Sequence, residues 1–182
     1  YSSEYDRSAH YIQWVTSLPW GTYTTDKLDI VAAQKDMDST HHGMNEPKDR
    51  ILEYLSTIKL RMEQGGEKVV HAPAIFLVGL VGTGKTTFAY SLANTMGRKF
   101  ARIPFGGLGS ARDLRGKSRL FAEAEPGAIV KAIKDAGSWN PIILLDEIDR
   151  VGAEERADIM GVLVELLDPT QNNRFLDHYL DY

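Results

Sequence analysis

The sequence predicts an α/β fold with a parallel sheet, because short apolar runs alternate with stretches of helical periodicity. Two runs, at 74–78 and 141–145, are apolar throughout, which is typical of strands buried on both faces of a sheet. A third strand is predicted over 99–105. Helices are predicted over 86–96 and 126–134, and a glycine follows the carboxyl end of each.

Composition restricts the classes of function open to this chain. It has 182 residues, 43% hydrophobic and 25% charged, which suits one globular domain or one domain with an attached segment. Cysteine is absent, which excludes disulfides, thiolate metal sites and a thiol nucleophile. A net charge of −4 and a pI near 5.7 give no signal for nucleic-acid binding. No apolar run approaches the roughly 20 residues of a membrane span.

Four more helices are predicted outside the alternating region. One ends before Pro19, and another covers 28–37. A third is capped by Asn45 and runs to about Leu60, since Asn is a favoured capping residue. The last covers about 158–167 and ends before a proline.

The strongest local motif is Gly79–Thr86, which matches G-x-x-x-x-G-K-[ST]. Gly82 and Gly84 leave room for backbone N–H groups to converge on phosphate oxygens. The helix that follows directs its positive end at the same anion. Lys85 can then contact the β- and γ-phosphates, while the Thr86 hydroxyl can hold Mg²⁺. With a strand predicted before the motif and a helix after it, the pattern indicates nucleotide binding.

A second half of this site is predicted where the apolar run 142–145 ends in Asp146 and Glu147. Asp146 would hold Mg²⁺, directly or through water. Glu147 would orient and deprotonate the attacking water. The alternative is an ordinary strand end at the solvent boundary, where acidic residues are common. The phosphate loop earlier in the chain favours the functional interpretation.

Four stretches give the chain a resemblance to the ATPase region of Lon-type ATP-dependent proteases, within the AAA+ class. The segment 11–20, YIQWVTSLPW, is similar to that family's Y-x-x-W-[LV]-x-x-[LI]-P-W pattern. HHGM at 41–44 resembles its H-Y-G-[LM] motif. The stretch 106–127 matches the part that bears the family's substrate-gripping loop. The run 165–181, which contains ELLDP and DHYLD, resembles a segment specific to this family.

The resemblance implies a P-loop NTPase (AAA+) three-layer parallel sheet, incomplete at the carboxyl end and preceded by a short helical segment. Residues 1–40 would be the helical linker segment, and 41–182 the partial nucleotide-binding subdomain. It implies ATP and Mg²⁺ as cofactors, a homo-hexameric ring and unfolded polypeptides as substrates. It also implies an intracellular soluble protein of the bacterial cytoplasm, mitochondrial matrix or peroxisomal matrix, without distinguishing among them.

Site residues follow from the resemblance position by position. Lys85 and Glu147 would be catalytic, and Thr86 and Asp146 would hold the metal. Phe121 takes the place of the aromatic residue that grips substrate; a core residue is the alternative. His41 and His42 could suggest a metal site, but no partner ligand has metal-like spacing. The predicted nucleotide contacts are Gly79, Gly82, Thr83, Gly84, Lys85, Thr86, Thr87 and Asp146, with His41, His42, Gly43 and Met44 against the adenine.

Several positions depart from the family pattern. Leu80 and Val81 replace a proline pair, and Ala122, Glu123 and Glu125 replace small or apolar residues near the gripping loop. No segment matches the family's sensor strand, arginine finger, small helical subdomain or Ser–Lys protease domain, so we expect that this chain does not fold or hydrolyse ATP alone. An inactive assembly module and a non-proteolytic AAA+ remodeller remain alternative functions.

Overall fold

The computed structural model describes residues 3–64, 74–121 and 123–182. By their internal contacts these residues divide into two compact units, which we call the helical unit (24–99) and the sheet unit (1–23 with 100–182). No helix in the described ranges is both long and apolar enough to cross a membrane. The elements in chain order are α1 (Ser3–Ser17), α2 (Ile30–Thr40), α3 (Asn45–Glu63), α4 (Lys85–Met96), β1 (Phe100–Pro104), α5 (Ala111–Arg115), α6 (Ala128–Ala136), β2 (Ile142–Asp146) and α7 (Arg156–Leu167).

In the helical unit, α2 packs against both α3 and α4. Asp29 caps α2, because its side chain accepts a hydrogen bond from the Ala32 N–H at 3.0 Å. Apolar residues at helical spacing on the three helices form the interior. The buried members are Ala33, Met37, Ile51, Leu55, Ile58, Phe88, Ala89, Ala93 and Met96.

A charged pair ties the segment before α2 to the residues after α4. Arg98 donates two hydrogen bonds to the Asp26 carboxylate, from Nε at 2.7 Å and from an Nη at 2.6 Å. The two side chains are only 18% and 19% exposed, so little water screens the contact. The hydrogen bond to Asp26 raises the pKa of Arg98, and burial raises the pKa of the neighbouring Tyr54 hydroxyl. Such a two-point contact fixes direction as well as distance.

In the sheet unit, β1 and β2 form a parallel pair with Phe100 opposite Ile142 and Pro104 opposite Asp146. Alternate β1 residues Ala101 and Ile103 are buried, and α6 packs against this strand. Helices α5 and α7 complete the interior. The buried core consists of Ala101, Ile103, Phe105, Leu114, Ile129, Ala132, Val151, Ile159, Val162 and Leu163.

Helix α1 belongs to the sheet unit. Leu18, just past its end, is buried with Tyr179 and Leu180 near the carboxyl end of the chain. Trp20 lies 5.0 Å from Trp139 between ring centroids, and the Trp139 N–H donates to the Thr22 carbonyl at 2.7 Å. Helix α2 lies in the helical unit, so the two helices of the predicted linker segment 1–40 fall in different compact units.

The α/β class and the parallel arrangement of the strands at 100–104 and 142–146 are confirmed. The helix ending before Pro19, those over 28–37 and 158–167, and those closed by Gly97 and Gly137 are also present within a few residues of the predicted bounds. The third of the predicted amino-terminal helices begins at Asn45 itself, one residue earlier than a cap at that position requires.

The strand predicted over 74–78 is wrong in this structure. These residues form neither strand nor helix, and Phe76 and Val78 are 79% and 82% exposed rather than buried. An apolar run becomes a strand only where a neighbouring strand supplies hydrogen bonds, and hydropathy identifies the run but not the neighbour. The short helix α5 was not predicted, because its five residues contain no full helical repeat.

We predict that Asp26→Asn destabilises the helical unit by roughly 1.5–3 kcal/mol, the usual worth of a hydrogen bond to a charged group. Amide hydrogen exchange of peptides from α3 and α4 measures this change as faster exchange. Asp29→Asn is the matched control, because asparagine caps helices as well as aspartate does and should leave exchange unchanged. Equal exchange in both variants would show that the Arg98–Asp26 pair adds nothing.

Candidate functional site

The loop Gly79–Thr86 has the backbone that its glycines predict. Gly82 has φ +83° and Gly84 has φ +86°, both in the left-handed region that glycine adopts without strain. Gly84 is also the residue that caps α4. A side chain on Gly79 or Gly84 would come within 3.3 Å of a threonine hydroxyl, Thr83 or Thr87 respectively. The glycines therefore leave the loop backbone accessible at the amino end of a 12-residue helix, which is a place where an anion can bind.

Lys85 folds back over the loop that precedes it. Its Nζ donates to the Gly79 carbonyl at 2.8 Å and to the Leu80 carbonyl at 2.7 Å. The Thr83 hydroxyl also donates to the Leu80 carbonyl, at 2.9 Å. An ammonium group has three N–H donors, so these contacts hold it at the loop without using its full capacity. The residues present therefore fit a bound phosphate group.

Thr86 and Thr87 occupy the first turn of α4, and both are exposed. The Thr87 hydroxyl donates to the Gly84 carbonyl at 2.8 Å, which closes the turn at the loop's end. Thr86 carries a hydroxyl group next to the loop, and hydroxyl oxygen is a kind of ligand that Mg²⁺ takes.

His41 lies beside the start of α4. Its Nε2 is 3.3 Å from the Thr87 hydroxyl, and its ring meets Phe88 edge to face at 5.4 Å. The backbone of His41 is held by Lys48, whose buried Nζ donates to the His41 carbonyl at 2.6 Å and to Asp38 at 2.8 Å. The structure thus brings this predicted adenine contact next to the phosphate loop.

The other predicted adenine contacts form the turn between α2 and α3. His42 and Gly43 are exposed, and Met44 is partly buried. Gly43 has φ +73° and Met44 has φ +54°, a value that is uncommon for a residue with a side chain. Such a conformation persists where surrounding contacts fix it, and the Lys48 N–H donates to the Met44 carbonyl at 3.1 Å.

Asp146 and Glu147 end β2 in the sheet unit. Asp146 accepts from Arg102 Nε at 2.8 Å and from the Glu147 N–H at 3.0 Å. Its donor chemistry fits Mg²⁺, which prefers carboxylate oxygens.

Glu147 is held in a strained backbone conformation, with φ +58° and ψ +40°. A non-glycine residue in this region costs on the order of 1–3 kcal/mol, and such residues cluster at functional sites. Its carbonyl accepts from the Arg150 N–H at 2.9 Å, and its carboxylate lies 3.3 Å from the Arg150 guanidinium. A Cβ on Gly106 would lie 3.3 Å from the same carboxylate. The left-handed backbone at Glu147 and its ion pair with Arg150 together restrict where this carboxylate lies.

Phe121 is 57% exposed, so the alternative of a core residue is wrong. It closes a turn in which its N–H donates to the Ser118 carbonyl at 3.1 Å. The departure at Ala122 lies outside the described residues. Of the two added acids, Glu125 accepts a hydrogen bond from Lys131 at 2.6 Å, which lowers the pKa of Glu125. Glu125 therefore brings less free negative charge to this loop than its side chain alone suggests.

Four contributing residues went unassigned at the sequence level. They are Lys48, Arg102 and Arg150, which contact His41, Asp146 and Glu147 respectively, and Gly106, where a side chain would crowd the Glu147 carboxylate. Arg150 could have been found from its spacing of three from Glu147, and Arg102 from its place near the end of the strand beside β2. Within the described ranges, no three His, Asp or Glu side chains gather in a way that could hold a metal ion.

Comparison with known proteins identifies a family that matches this chain. The family described as "ATPase family associated with various cellular activities (AAA)" matches residues 75–178. The chain is 44% identical to the Lon protease of Magnetococcus marinus and 45% to that of Desulfosudis oleivorans, over 99% of this chain in both cases. It is 42% identical to the "Lon protease homolog, mitochondrial" of Ostreococcus lucimarinus, again over 99% of this chain.

The matches cover 22%, 21% and 19% of those three relatives, so the chain spans about a fifth of their length. The AAA match includes the phosphate loop, Phe121, Asp146 and Glu147. The chain therefore belongs to the AAA family of ATPases, and over almost its whole length it is similar to one region of the Lon proteases.

Proposed function

We propose that this chain is the ATP-binding and ATP-hydrolysing motor of an ATP-dependent serine protease, which unfolds polypeptides and moves them toward degradation. The observation that carries the proposal is the phosphate loop with Lys85 folded over its carbonyls, in a chain similar throughout to Lon proteases. A homo-hexamer acting on unfolded polypeptides inside the cell is part of the same proposal, since it rests on that similarity.

In this proposal each of the described site residues has a separate role in binding or hydrolysing ATP. The backbone N–H groups at Gly82–Lys85 and the Lys85 ammonium bind phosphate oxygens. Thr86 and Asp146 hold Mg²⁺, and the turn 41–44 borders the adenine. Glu147 accepts the proton of the attacking water, and its fixed backbone limits the directions from which it can do so. ATP supplies the phosphoanhydride bond whose hydrolysis drives the motor.

Phe121 grips the polypeptide in this proposal. An exposed aromatic ring offers a large apolar surface with few rotatable bonds, so it can press on many kinds of side chain. The proposed nucleotide-binding core comprises residues 41–182. Residues 1–40 are proposed as the segment ahead of that core.

We predict that Lys85→Ala in the full-length protein weakens ATP binding by about 10–100-fold. The loss corresponds to roughly 1.5–3 kcal/mol for a hydrogen bond to a charged group, at 1.4 kcal/mol per tenfold. Fluorescent-nucleotide titration measures the affinity. Lys59→Ala is the control, because Lys59 is an exposed lysine on α3 and its loss should leave binding unchanged. Unaltered affinity in Lys85→Ala would contradict the proposed phosphate site.

Glu147→Gln should reduce ATP turnover by about 10²–10⁴-fold, the usual worth of a general base, while ATP binding is retained. Steady-state phosphate release and casein degradation by the full-length protein are the measurements. Glu154→Gln, an exposed acid seven residues further along, is the matched control and should keep both rates. A wild-type protein that binds ATP without hydrolysing it would instead identify an inactive assembly module.

Phe121→Ala should lower degradation of a folded protein substrate by about tenfold, which is ~1.4 kcal/mol of lost contact. Basal ATP turnover should stay the same, because the phosphate loop is untouched. Phe121→Tyr keeps the ring and should keep degradation. Val31→Ala is a second control, because it removes an even more exposed apolar side chain elsewhere and should also keep degradation. Degradation by Phe121→Ala at the wild-type rate would argue against the gripping role.

A further inference from the structure

The loop that carries Phe121 leaves and re-enters the sheet unit through a narrow neck. The chain runs out to the loop along 114–117, the leaving arm, and returns along 125–127, the re-entering arm. The Lys117 N–H donates to the Glu125 carbonyl at 2.9 Å, and this hydrogen bond joins the two arms. Gly116 has φ +81°, and a Cβ there would lie 2.9 Å from the Gly127 nitrogen. A Cβ on Gly127 would overlap the Leu114 carbonyl. The two arms therefore approach so closely that neither glycine can be replaced without moving backbone.

Asp177 closes this neck from one side. The residue is 1% exposed, and its carboxylate accepts three backbone hydrogen bonds. One comes from Gly127 at 2.7 Å, and the other two come from Tyr179 and Leu180, each at 2.9 Å. A single buried charge thus joins the re-entering arm to the turn 177–180.

The same turn also holds the leaving arm. The His178 N–H donates to the Arg115 carbonyl at 2.7 Å, one residue before Gly116. Arg115 is further fixed by an ion pair with Glu165 and by its position over the Phe175 ring, 5.4 Å from the centroid. Both arms of the neck are therefore bound to one short segment.

A second attachment reaches the loop itself. Tyr179, which is 2% exposed, has its ring centroid 6.0 Å from that of Tyr11 on α1. The Arg119 guanidinium lies 4.3 Å from the Tyr11 centroid, a cation–π distance. Ala124, on the returning limb, packs against the cluster of Leu18, Tyr179 and Leu180. The loop is thus held on both sides of Phe121.

We propose that Asp177 is a positioning residue for the gripping loop: by binding the neck at Gly127 it fixes where Phe121 is presented, and it carries the pulling force from the loop into the core of the sheet unit. This inference rests on the proposed gripping role of Phe121. Asp177 does not touch the polypeptide, and it acts only through the loop.

The test is Asp177→Asn in the full-length protein. Asparagine keeps the side-chain volume but replaces one acceptor oxygen by an NH₂ donor. That NH₂ group cannot accept a hydrogen bond from the backbone N–H that it faces. A nitroxide label at Glu123→Cys, in a background where it is the sole cysteine, reports loop mobility by electron paramagnetic resonance. We expect higher label mobility and about tenfold slower degradation of a folded substrate, because small displacements of a positioned group are costly. Basal ATP turnover should stay within about twofold, since no nucleotide contact changes.

Val162→Ala is the matched control, because it loosens the same core and removes none of the hydrogen bonds that close the neck. A merely structural role for Asp177 predicts equal label mobility in both variants, and that result would overturn the proposal. Unchanged mobility in Asp177→Asn would overturn it too. If Asp177→Asn fails to fold, amide hydrogen exchange in the wild-type protein tests the proposal instead. We then expect the Gly127 amide to be as strongly protected as the amides of α7. Rapid exchange at Gly127 would overturn the inference.

The two proposals fail separately. If Phe121→Ala keeps full degradation while Asp177→Asn frees the label, the gripping role is wrong and the anchoring of the loop is supported. If Phe121→Ala loses degradation while Asp177→Asn leaves the label fixed, the gripping role is supported and the anchoring is overturned.

Discussion

Close approach of backbone to backbone, or of backbone to an anion, is the constraint on which both candidate functional regions depend. In the helical unit, Gly82 and Gly84 take left-handed conformations that open the phosphate loop. In the sheet unit, Gly116 and Gly127 let the arms of the gripping loop meet. A side chain at any of these four positions would cause backbone strain or steric overlap. In both regions, glycine therefore leaves space in which backbone N–H groups can make their contacts.

In both units, several charged side chains hold other groups in place. Lys48 fixes the backbone at His41, Arg98 ties Asp26, Arg102 holds Asp146, and Asp177 binds the neck at Gly127. Each is at least half buried or paired at hydrogen-bond distance, where a charge-assisted bond is stronger and more directional than in water. The proposed chemistry therefore relies on charges that position other groups as much as on charges that react.

Sequence patterns were sufficient for most helices, for the parallel strands at 100–104 and 142–146, and for the conformation of the phosphate loop, since these depend on local residue types. They were insufficient at 74–78, where strand formation depends on a neighbour that hydropathy does not identify. Nor could they reveal the strain at Glu147 or the contacts of Asp177, which join residues 50 apart in the chain. The exposure of Phe121 needed the structure as well, because its surrounding sequence has no clear period.

Nucleotide binding by the loop Gly79–Thr86 is the central claim, and amide hydrogen exchange of the full-length protein with and without Mg²⁺-ATP tests it most directly. Backbone N–H groups that bind phosphate exchange more slowly, so the account predicts strong protection of residues 82–87 when ATP is added, with smaller protection near His41. ATP that binds while the amides of 82–87 exchange at their unliganded rates would contradict it.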